Sequence, residues 1–189
     1  MTARELSIYM DPVEVAQLSA ALHVAAPRVA LEWGAGGSTA FLLREVKSLE
    51  LLASIEHDAA WFENVGASID DPRLQLRCVV PDVPPTAEEL RIKRGQQVWD
   101  ARAEQEPALM ATYVATADSF GSHFDFVFVD GRARRFCLRR GWELLRPGGL
   151  MVLHDAQRTE YHDAIPTAAR TLFLKPWVRG QLCLMVKRS

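Results

Sequence analysis

The sequence is poor in cysteine and has no long apolar run. Its three cysteines, Cys78, Cys137 and Cys183, are odd in number and far apart, so they indicate neither a disulfide framework nor a zinc site. No apolar run approaches the length of a membrane span, and the N-terminus lacks the apolar core of a signal peptide. We therefore expect a cytoplasmic protein with no membrane segment, in a reducing compartment.

An excess of charge of one sign is also missing. The 22 Lys and Arg residues nearly balance the 24 Asp and Glu residues, and the formal net charge is -2. This balance gives no basic footprint for nucleic acid or for an anionic membrane, so nucleic-acid substrates are disfavoured. The chain is long enough for a full-sized core, and 49% of its residues are hydrophobic. The whole chain, 1–189, is expected to form a single domain.

The strongest motif present is the stretch 29–39, in which a short apolar run is followed by a glutamate, a cluster of glycines and two hydroxyls. This order predicts a strand, a tight loop and a helix that begins near Ser38. Free backbone N–H groups would then face the crevice beyond the strand's C-terminal end, where open α/β sheets bind their ligands. The motif predicts a nucleotide-like ligand, and the alternative is a glycine-rich turn that binds nothing.

The residues that this loop lacks narrow the class of ligand that it could bind. A dinucleotide fingerprint requires a third glycine where the chain has Thr39, which weakens a nicotinamide-dependent oxidoreductase as an alternative. A P-loop requires a lysine before Ser38, and Gly37 stands there. Glu32, two residues before Gly34, would repel a phosphate and attract a cation. A cationic ligand without phosphate fits the loop best.

Acidic residues also follow the next predicted strands. Glu56 ends the predicted strand 51–56 about 20 residues past the loop, a spacing at which a carboxylate meets ribose hydroxyls. The alternative is a surface glutamate near Lys47. Two buried strands are predicted within 124–131 and 144–155, and each ends in an aspartate, Asp130 and Asp155. Pro147-Gly148-Gly149 is expected to stop the helix between them and to turn the chain back into the sheet. A hairpin is predicted around Arg179-Gly180.

Together, the loop and the two strand-end aspartates resemble class I S-adenosylmethionine (SAM)-dependent methyltransferases, most closely the small-molecule O-methyltransferases. The resemblance extends from about Val29 to Asp155 and implies an α/β, Rossmann-like fold. Its sheet would have seven mostly parallel strands in the order 3-2-1-4-5-7-6, with helices on both faces. The cofactor contacts that it implies, with Asp82 included as the polar residue after the third strand, are Glu32, Gly34, Gly36, Ser38, Thr39, Glu56, Asp82 and Asp130.

The segment 84–120 is longer than one crossover helix requires. Thr86 and Glu89 form a capping-box pattern that predicts a polar helix, and Pro107 should begin another. Because loops at the C-terminal ends of strands carry specificity in such folds, the added segment is a candidate lid, with Trp99 and Tyr113 as acceptor contacts. The alternative is a solvated helix whose aromatics belong to the core.

The resemblance implies methyl transfer to a small-molecule acceptor, and a hydroxyl is the expected group. Asp130, His154 and Asp155 are the candidate catalytic residues, because a hydroxyl must lose its proton. Either His154 acts as a general base, or Asp130 and Asp155 hold a divalent metal, with Mg²⁺ favoured by hard oxygen ligands. Metal-dependent relatives usually place another carboxylate or amide where this chain has Ala156.

Several alternatives stay open at this point. Asp130 could simply face the cofactor, and His154 with Asp155 could close a turn. Arg132 is a candidate for pairing with Asp130 or for holding an anionic acceptor, whereas most of the arginines around it should be solvated. Weaker acceptor-site candidates are Arg158, Tyr161 and His162. A SAM-binding sensor or partner subunit without turnover is the competing function, and the oligomeric state is open.

Overall fold

The structure is a computed structural model that describes residues 6–121 and 123–188. Its strands are β1 (Val29–Trp33), β2 (Leu51–Glu56), β3 (Leu74–Cys78), β4 (Phe124–Val129), β5 (Leu145–Leu153), β6 (Arg170–Phe173) and β7 (Cys183–Val186). They form one sheet in the order β3-β2-β1-β4-β5-β7-β6. The first five strands are parallel, and β7 is antiparallel to both β5 and β6. The predicted strand order is confirmed.

The helices lie on both faces of this sheet. They are α1 (Pro12–Ala25), α2 (Gly37–Glu45), α3 (Ala59–Ser68), α4 (Ala87–Arg91), α5 (Gly95–Ala103), α6 (Ala111–Ala115) and α7 (Arg134–Leu144), with short 3-10 turns at 107–109, 116–120 and 159–164. None of the helices in the described part of the chain combines the length and the apolar character needed to cross a bilayer.

Side chains alternate between two apolar cores because successive residues of a strand point to opposite faces. On β1, Leu31 and Trp33 pack with residues of α5, α6 and α7, whereas Ala30 packs with residues of α1 and α2. The same alternation on β4 sends Phe126 and Phe128 to the second of these cores. Helices on both faces therefore bury the sheet and leave its strand ends free for a site.

The N-terminal helix α1 begins with a side-chain cap. Asp11 caps α1 by accepting from the backbone N–H of Val13, and the Glu14 side chain accepts from the backbone N–H of Asp11. This reciprocal pair is a capping box, which satisfies two backbone donors that the first turn would otherwise leave free. It also fixes the direction in which the Glu14 carboxylate points.

Two elements differ from the sequence prediction. The helix α7 ends at Leu144, and β5 already begins at Leu145 as a neighbour of Phe124, but the register shifts before Leu150 pairs with Phe126. Pro147 and the two glycines after it therefore form an irregularity inside the strand. In the added segment, the Thr86 capping box starts α4 as predicted, whereas Pro107 begins a 3-10 turn and not a continuous helix.

Candidate functional site

An open cleft of about 910 Å³ lies where β1, β2, β4 and β5 end. The loops that follow these four parallel strands meet at the same edge of the sheet, so residues distant in sequence converge there. The cleft is lined by Ile8, Tyr9, Gly34, Ala35, Gly36, Gly37, Ser38, Glu56, His57, Asp58, Trp61, Pro81, Pro84, Pro85, Gln96, Trp99, Asp130, Gly131, Arg132, Arg134, His154 and Asp155. Of the predicted cofactor contacts, Gly34, Gly36, Ser38, Glu56 and Asp130 are thus brought together.

The floor of the cleft is formed by two loops in direct contact. Gly34 has φ +97°, and a Cβ added there would lie 2.6 Å from the backbone nitrogen of Gly131. The N–H of Gly34 donates to the carbonyl of Ile55 at 2.9 Å. Position 34 therefore requires glycine for two reasons, its positive φ and its close approach to backbone.

Glu32 lies beneath the loop and does not face the cleft. The side chain is fully buried, and its two oxygens accept hydrogen bonds from Ser38, Thr39 and Ser54, each at 2.6 Å. The Thr39 hydroxyl in turn accepts from the N–H of Gly36 at 2.8 Å. Burial raises the pKa of Glu32 to about 7, although the three hydroxyl donors act to lower it. The expected direct contacts of Glu32 and Thr39 with a ligand are thus corrected, because both side chains are used to brace the loop.

Glu56 presents one oxygen to the cleft. Its Oε1 accepts from the backbone N–H groups of His57 and Asp58, both at 2.8 Å, and the residue is 3% exposed. Within the described residues, Oε2 accepts no hydrogen bond. A carboxylate held in this way has one oxygen free for a ligand hydroxyl, which suits the predicted ribose contact.

Asp82 is not brought to the cleft. Both of its carboxylate oxygens accept from Thr112, one from the backbone N–H and the other from the hydroxyl. The side chain is exposed, and it ties the segment just after β3 to the start of α6. Its expected contact with adenine is therefore corrected, because its acceptor groups are directed at Thr112.

A buried arginine joins the two strand-end aspartates. Arg134 donates to Asp130 Oδ1 at 2.9 Å and to Asp155 Oδ2 at 3.0 Å, and it also donates to the carbonyl of Gly131 at 3.0 Å. The sequence predicts an exposed face for most of this arginine cluster, but Arg134 is 5% exposed. Asp130 lies in the loop between β4 and α7 and not on the helix, so no helical spacing in the sequence indicates this contact. Arg132, expected to be free for Asp130, pairs with Asp100 at 3.1 Å.

The aspartates do not suit the divalent metal that the sequence suggested. The oxygens that would converge on an ion converge on the Arg134 guanidinium, and Arg158 lies 2.8 Å from the same oxygen of Asp155. Burial acts to raise the pKa of Asp155, but the charge and hydrogen bond of Arg134, helped by the charge of His154, hold it below its usual value. Across residues 6–121 and 123–188, no group of three or more acidic, His or Cys side chains is arranged to hold a metal ion. The tentative Mg²⁺ site at Asp130 and Asp155 is thus corrected: a side-chain cation takes the central position.

His154 stands between two carboxylates. Its Nδ1 lies 2.7 Å from Asp130 Oδ1, and its Nε2 lies 3.2 Å from Glu14 Oε1 on α1. Burial lowers the pKa of this imidazole, but the hydrogen bond and charge of Asp130, helped by the charge of Asp155, raise it above its usual value on balance. Sequence reasoning does not bring Glu14 to this site, because nothing local to α1 points to the end of β5.

A second cavity of about 440 Å³ adjoins the cleft. Its wall consists of Ile8, Tyr9, Met10, Asp11, Pro12, Glu14, His154, Asp155, Arg179 and Gly180, of which Ile8, Tyr9, His154 and Asp155 also line the cleft. A Cβ on Gly180 would lie 2.7 Å from Glu14 Oε1 and 3.0 Å from His154 Nε2, so the chain passes closely over this pair. The two spaces meet at His154 and Asp155.

Other expected acceptor contacts lie elsewhere. Tyr161 packs against the Arg134 guanidinium, whose central carbon is 5.6 Å from the ring centre, and His162 Nε2 lies 2.8 Å from the carbonyl of Ala156. Tyr113 is wholly buried in the core, where burial raises the pKa of its hydroxyl. Of the two aromatic residues expected to contact the acceptor, Trp99 lines the cleft and Tyr113 does not.

Comparison with known proteins gives one family and one fold. A family profile described as a methyltransferase domain matches residues 31–156. No curated protein sequence matches the chain. Three similar solved structures illustrate the fold.

An O-methyltransferase from Bacillus cereus, in complex with SAH (the demethylated product of SAM), is 15% identical with a TM-score of 0.61. The match covers 98% of this chain and 84% of that one. The O-methyltransferase TomG from Streptomyces achromogenes, in complex with SAM, is 14% identical with a TM-score of 0.62, over 97% and 83% of the two chains. A methyltransferase-like protein from Silicibacter pomeroyi is 24% identical with a TM-score of 0.62, over 98% and 90%. At these identities the likeness concerns the fold.

Proposed function

The chain belongs to the class I SAM-dependent methyltransferases, and from this premise we propose that it methylates a hydroxyl of a small molecule held in the second cavity. The observation that carries the proposal is the position of His154. Its side chain lines both spaces, and its Nδ1 lies 2.7 Å from Asp130 Oδ1. A catalytic group for methyl transfer has to stand where donor and acceptor meet, because the reaction requires the two to be held in contact.

The cleft supports binding of SAM by its loop and by Glu56. When bound, SAM supplies a methyl group activated by its attachment to a sulfonium. Glu56 Oε2 would accept from ribose hydroxyls, and the loop at Gly34 and Gly36 allows close approach of a ligand to backbone. Ser38 and Thr39 contribute through Glu32, whose three hydrogen bonds fix the loop. Asp82 has no part in this proposal.

The position in the sequence of the residues that form the second cavity supports its use for binding the acceptor. Its walls come mainly from residues 8–14 and from Arg179 and Gly180, which lie outside the stretch 31–156 that matches the family profile. The lining of the cleft comes mainly from within that stretch. A space built mainly from segments outside the matched stretch suits a function that differs between relatives, and the choice of acceptor is such a function.

We assign to Asp130 the removal of the proton from the acceptor hydroxyl. Its Oδ1 is held by Arg134 and His154, whereas within the described residues its Oδ2 accepts no hydrogen bond. Oδ2 would receive the proton that the acceptor hydroxyl loses as its oxygen bonds to carbon. His154 would keep Asp130 oriented, and Asp155 would keep Arg134 in place. The imidazole is a poorer choice for receiving that proton, because each of its nitrogens already faces a carboxylate, Asp130 at Nδ1 and Glu14 at Nε2.

Cofactor binding is tested by calorimetry with SAH, the demethylated product. SAH should bind the wild-type protein, and Glu56→Ala should weaken the affinity at least about 10-fold by removing the ribose acceptor. Glu63→Ala, on the exposed side of α3, is the matched control and should leave the affinity unchanged. If SAH binds no better than ATP or NAD, the cofactor assignment is wrong.

Turnover is tested by following SAH formation with a panel of phenols, catechols and alcohols. His154→Asn retains a donor near the position of Nδ1, so it should keep more of the activity than His154→Ala if the imidazole only orients Asp130. Loss of activity in both variants alike would show that His154 itself carries the proton. SAH binding without turnover of any acceptor would favour the alternative, a SAM-binding sensor or partner subunit.

A further inference from the structure

Glu14 is a buried carboxylate whose second oxygen has no hydrogen-bond donor in the described residues. The residue is 1% exposed, and its Oε2 accepts from the backbone N–H of Asp11 at 3.1 Å. Its Oε1 is shielded from solvent and is 3.2 Å from His154 Nε2, which also lacks a hydrogen bond of good geometry. A buried, unpaired carboxylate oxygen is costly, so an uncompensated Glu14 would not persist beside an uncharged ring.

The surroundings of His154 favour protons on both nitrogens. A neutral imidazole has a single N–H, but each nitrogen of this ring faces a carboxylate, Asp130 at Nδ1 and Glu14 at Nε2. With both carboxylates ionised, only the imidazolium donates to both. The other charged groups around the ring are Asp155, which favours the cation, and Arg134, which opposes it.

We propose that Glu14 is a positioning residue that holds His154 as a doubly protonated ring, and thereby holds Asp130 at the boundary between the cleft and the second cavity. The ring then acts as a bridge from α1 to the end of β4. Gly180 covers the bridge, since a Cβ there would collide with both Glu14 Oε1 and His154 Nε2. The catalytic consequence rests on the proposed function, but the arrangement of the ring does not.

Glu14 lies outside the stretch that matches the family profile, as does Gly180. The start of α1 therefore contributes both to the wall of the proposed acceptor cavity, through Pro12 and Glu14, and to the orientation of Asp130, through the contact of Glu14 with His154. A change in the acceptor-side wall would reach Asp130 through a single side chain. This coupling gives Glu14 a role that its capping bond to Asp11 does not explain.

The arrangement is tested by nitrogen-15 NMR of the five histidines at neutral pH, with His154 assigned from the signal lost in His154→Asn. In the wild-type protein both ring nitrogens of His154 should be protonated. In Glu14→Gln the amide oxygen can keep the bond to Asp11 while its NH₂ faces Nε2, so Nε2 should become an unprotonated acceptor. Unchanged His154 signals in Glu14→Gln would overturn the proposal.

Two further variants keep the test decisive. Gly180→Ala should perturb the same signals from the opposite wall, even if Glu14→Gln folds poorly. Gln17→Ala, which removes the bond from α1 to the carbonyl of Pro176, should leave them unchanged because it breaks a contact of α1 away from His154. If Gln17→Ala has the same effect as Glu14→Gln, general disturbance of α1 explains the result and the proposal fails.

The catalytic consequence is measured separately. With an acceptor identified, Glu14→Gln should lower kcat at least about 10-fold and leave SAH affinity within about twofold, because Glu14 lines only the second cavity. Equal losses in kcat and SAH affinity would contradict positioning. If the wild-type protein turns over no acceptor, the proposed function fails, whereas the NMR result still decides whether Glu14 holds His154.

Discussion

Glu32 shows how one residue can fix the loop of a candidate site without facing the cleft. Its carboxylate accepts from three hydroxyls at 2.6 Å and so ties the glycine loop and the start of α2 to β1. The bonds offset part of the desolvation of a charge, and burial still leaves the pKa near 7. The loop is therefore braced by a group that changes charge close to neutral pH.

Glu32 should make stability fall as pH rises. The folded-state pKa of about 7 lies above the ordinary value of 4.5, so the folded protein holds this proton more tightly than the unfolded chain does. The contribution of Glu32 is fully present below pH 4.5 and is lost as pH rises through 7. The shift corresponds to about 3 kcal/mol.

Thermal melting of the wild type and of Glu32→Gln between pH 5 and 8 measures this effect. Glutamine stays uncharged, so the variant should lose less stability over this range than the wild type. Glu63→Gln is the exposed control and should follow the wild-type curve. Parallel curves for wild type and Glu32→Gln would mean that Glu32 does not titrate in this range.

Gly34→Ala should reduce both stability and SAH affinity. The new Cβ would lie 2.6 Å from the Gly131 backbone nitrogen at a residue with φ +97°, so the two loops would have to separate. We expect a loss of about 1–3 kcal/mol in the free energy of unfolding and at least about 10-fold weaker SAH binding. Gly66→Ala on α3 is the control, since its nearest neighbour is Leu76 Cδ2 at 3.9 Å. Equal effects from both substitutions would refute the argument.

Sequence reasoning placed these residues but not their side chains. The end of β1 is one residue past Glu32, as the motif predicts, yet the direction of a side chain depends on the alternation along the strand. Leu31 and Trp33 both pack into the core formed with α5 to α7, so Glu32 between them has to point to the other face, toward α2. That inference requires knowing which helices cover which face, which only the folded chain provides.

Arg134 links three elements, because it lies in the first turn of α7 and its side chain binds the aspartates that follow β4 and β5. Its guanidinium is enclosed, with Tyr161 against it and both aspartates at hydrogen-bond distance. Arg134→Met would leave two partly buried carboxylates without their partner, and we expect a loss of about 3–5 kcal/mol in the free energy of unfolding. Urea denaturation measures it.

A surface arginine of the same helix provides the control. Arg139 is 54% exposed and lies 3.4 Å from Asp163, so Arg139→Met should change stability by less than about 0.5 kcal/mol. Comparable losses from the two substitutions would show that Arg134 does not hold the strand ends together.

Chelation should not affect turnover. Arg134 takes the position between Asp130 and Asp155 that a divalent ion would need, so activity should be the same with and without EDTA. The assay is SAH formation from SAM with an acceptor that the protein methylates, before and after dialysis against EDTA. Activity that is lost on chelation and restored by Mg²⁺ would contradict this expectation.

The elements themselves were largely predictable, and the exceptions have physical causes. The bounds of β2 match the prediction because Leu51 to Glu56 is an apolar run bounded by a helix end and a turn. The start of β5 was not predictable, since Pro147 and two glycines read as a turn, whereas pairing with β4 and β7 carries them within the strand. Contacts such as that of Glu14 with His154 join residues 140 positions apart and leave no local pattern.

At the scale of the whole molecule, the fold divides the site into two spaces of different origin. The strand order places the ends of β1, β2, β4 and β5 side by side and forms the cleft, while α1 and the connection between β6 and β7 close the second cavity. Binding in the cleft should stabilise the entire domain, since one sheet carries both spaces.

SAH should raise the melting temperature of the protein. A ligand present at about 100 times its Kd adds about 2.7 kcal/mol, which for a domain of this size corresponds to about 5–10 °C. Differential scanning calorimetry measures the shift. Glu56→Ala at the same SAH concentration should show a smaller rise, and an equal rise would place SAH elsewhere on the protein.

The close passage of Gly180 over Glu14 and His154 has a consequence for synthesis on the ribosome. Every residue that lines the cleft has been synthesised once Asp155 has been added, whereas the second cavity also needs Arg179 and Gly180. A growing chain therefore holds all the residues of the cleft before it can close the second cavity. The wall supplied by residues 8–14 is synthesised early and stays open until Arg179 and Gly180 have been added.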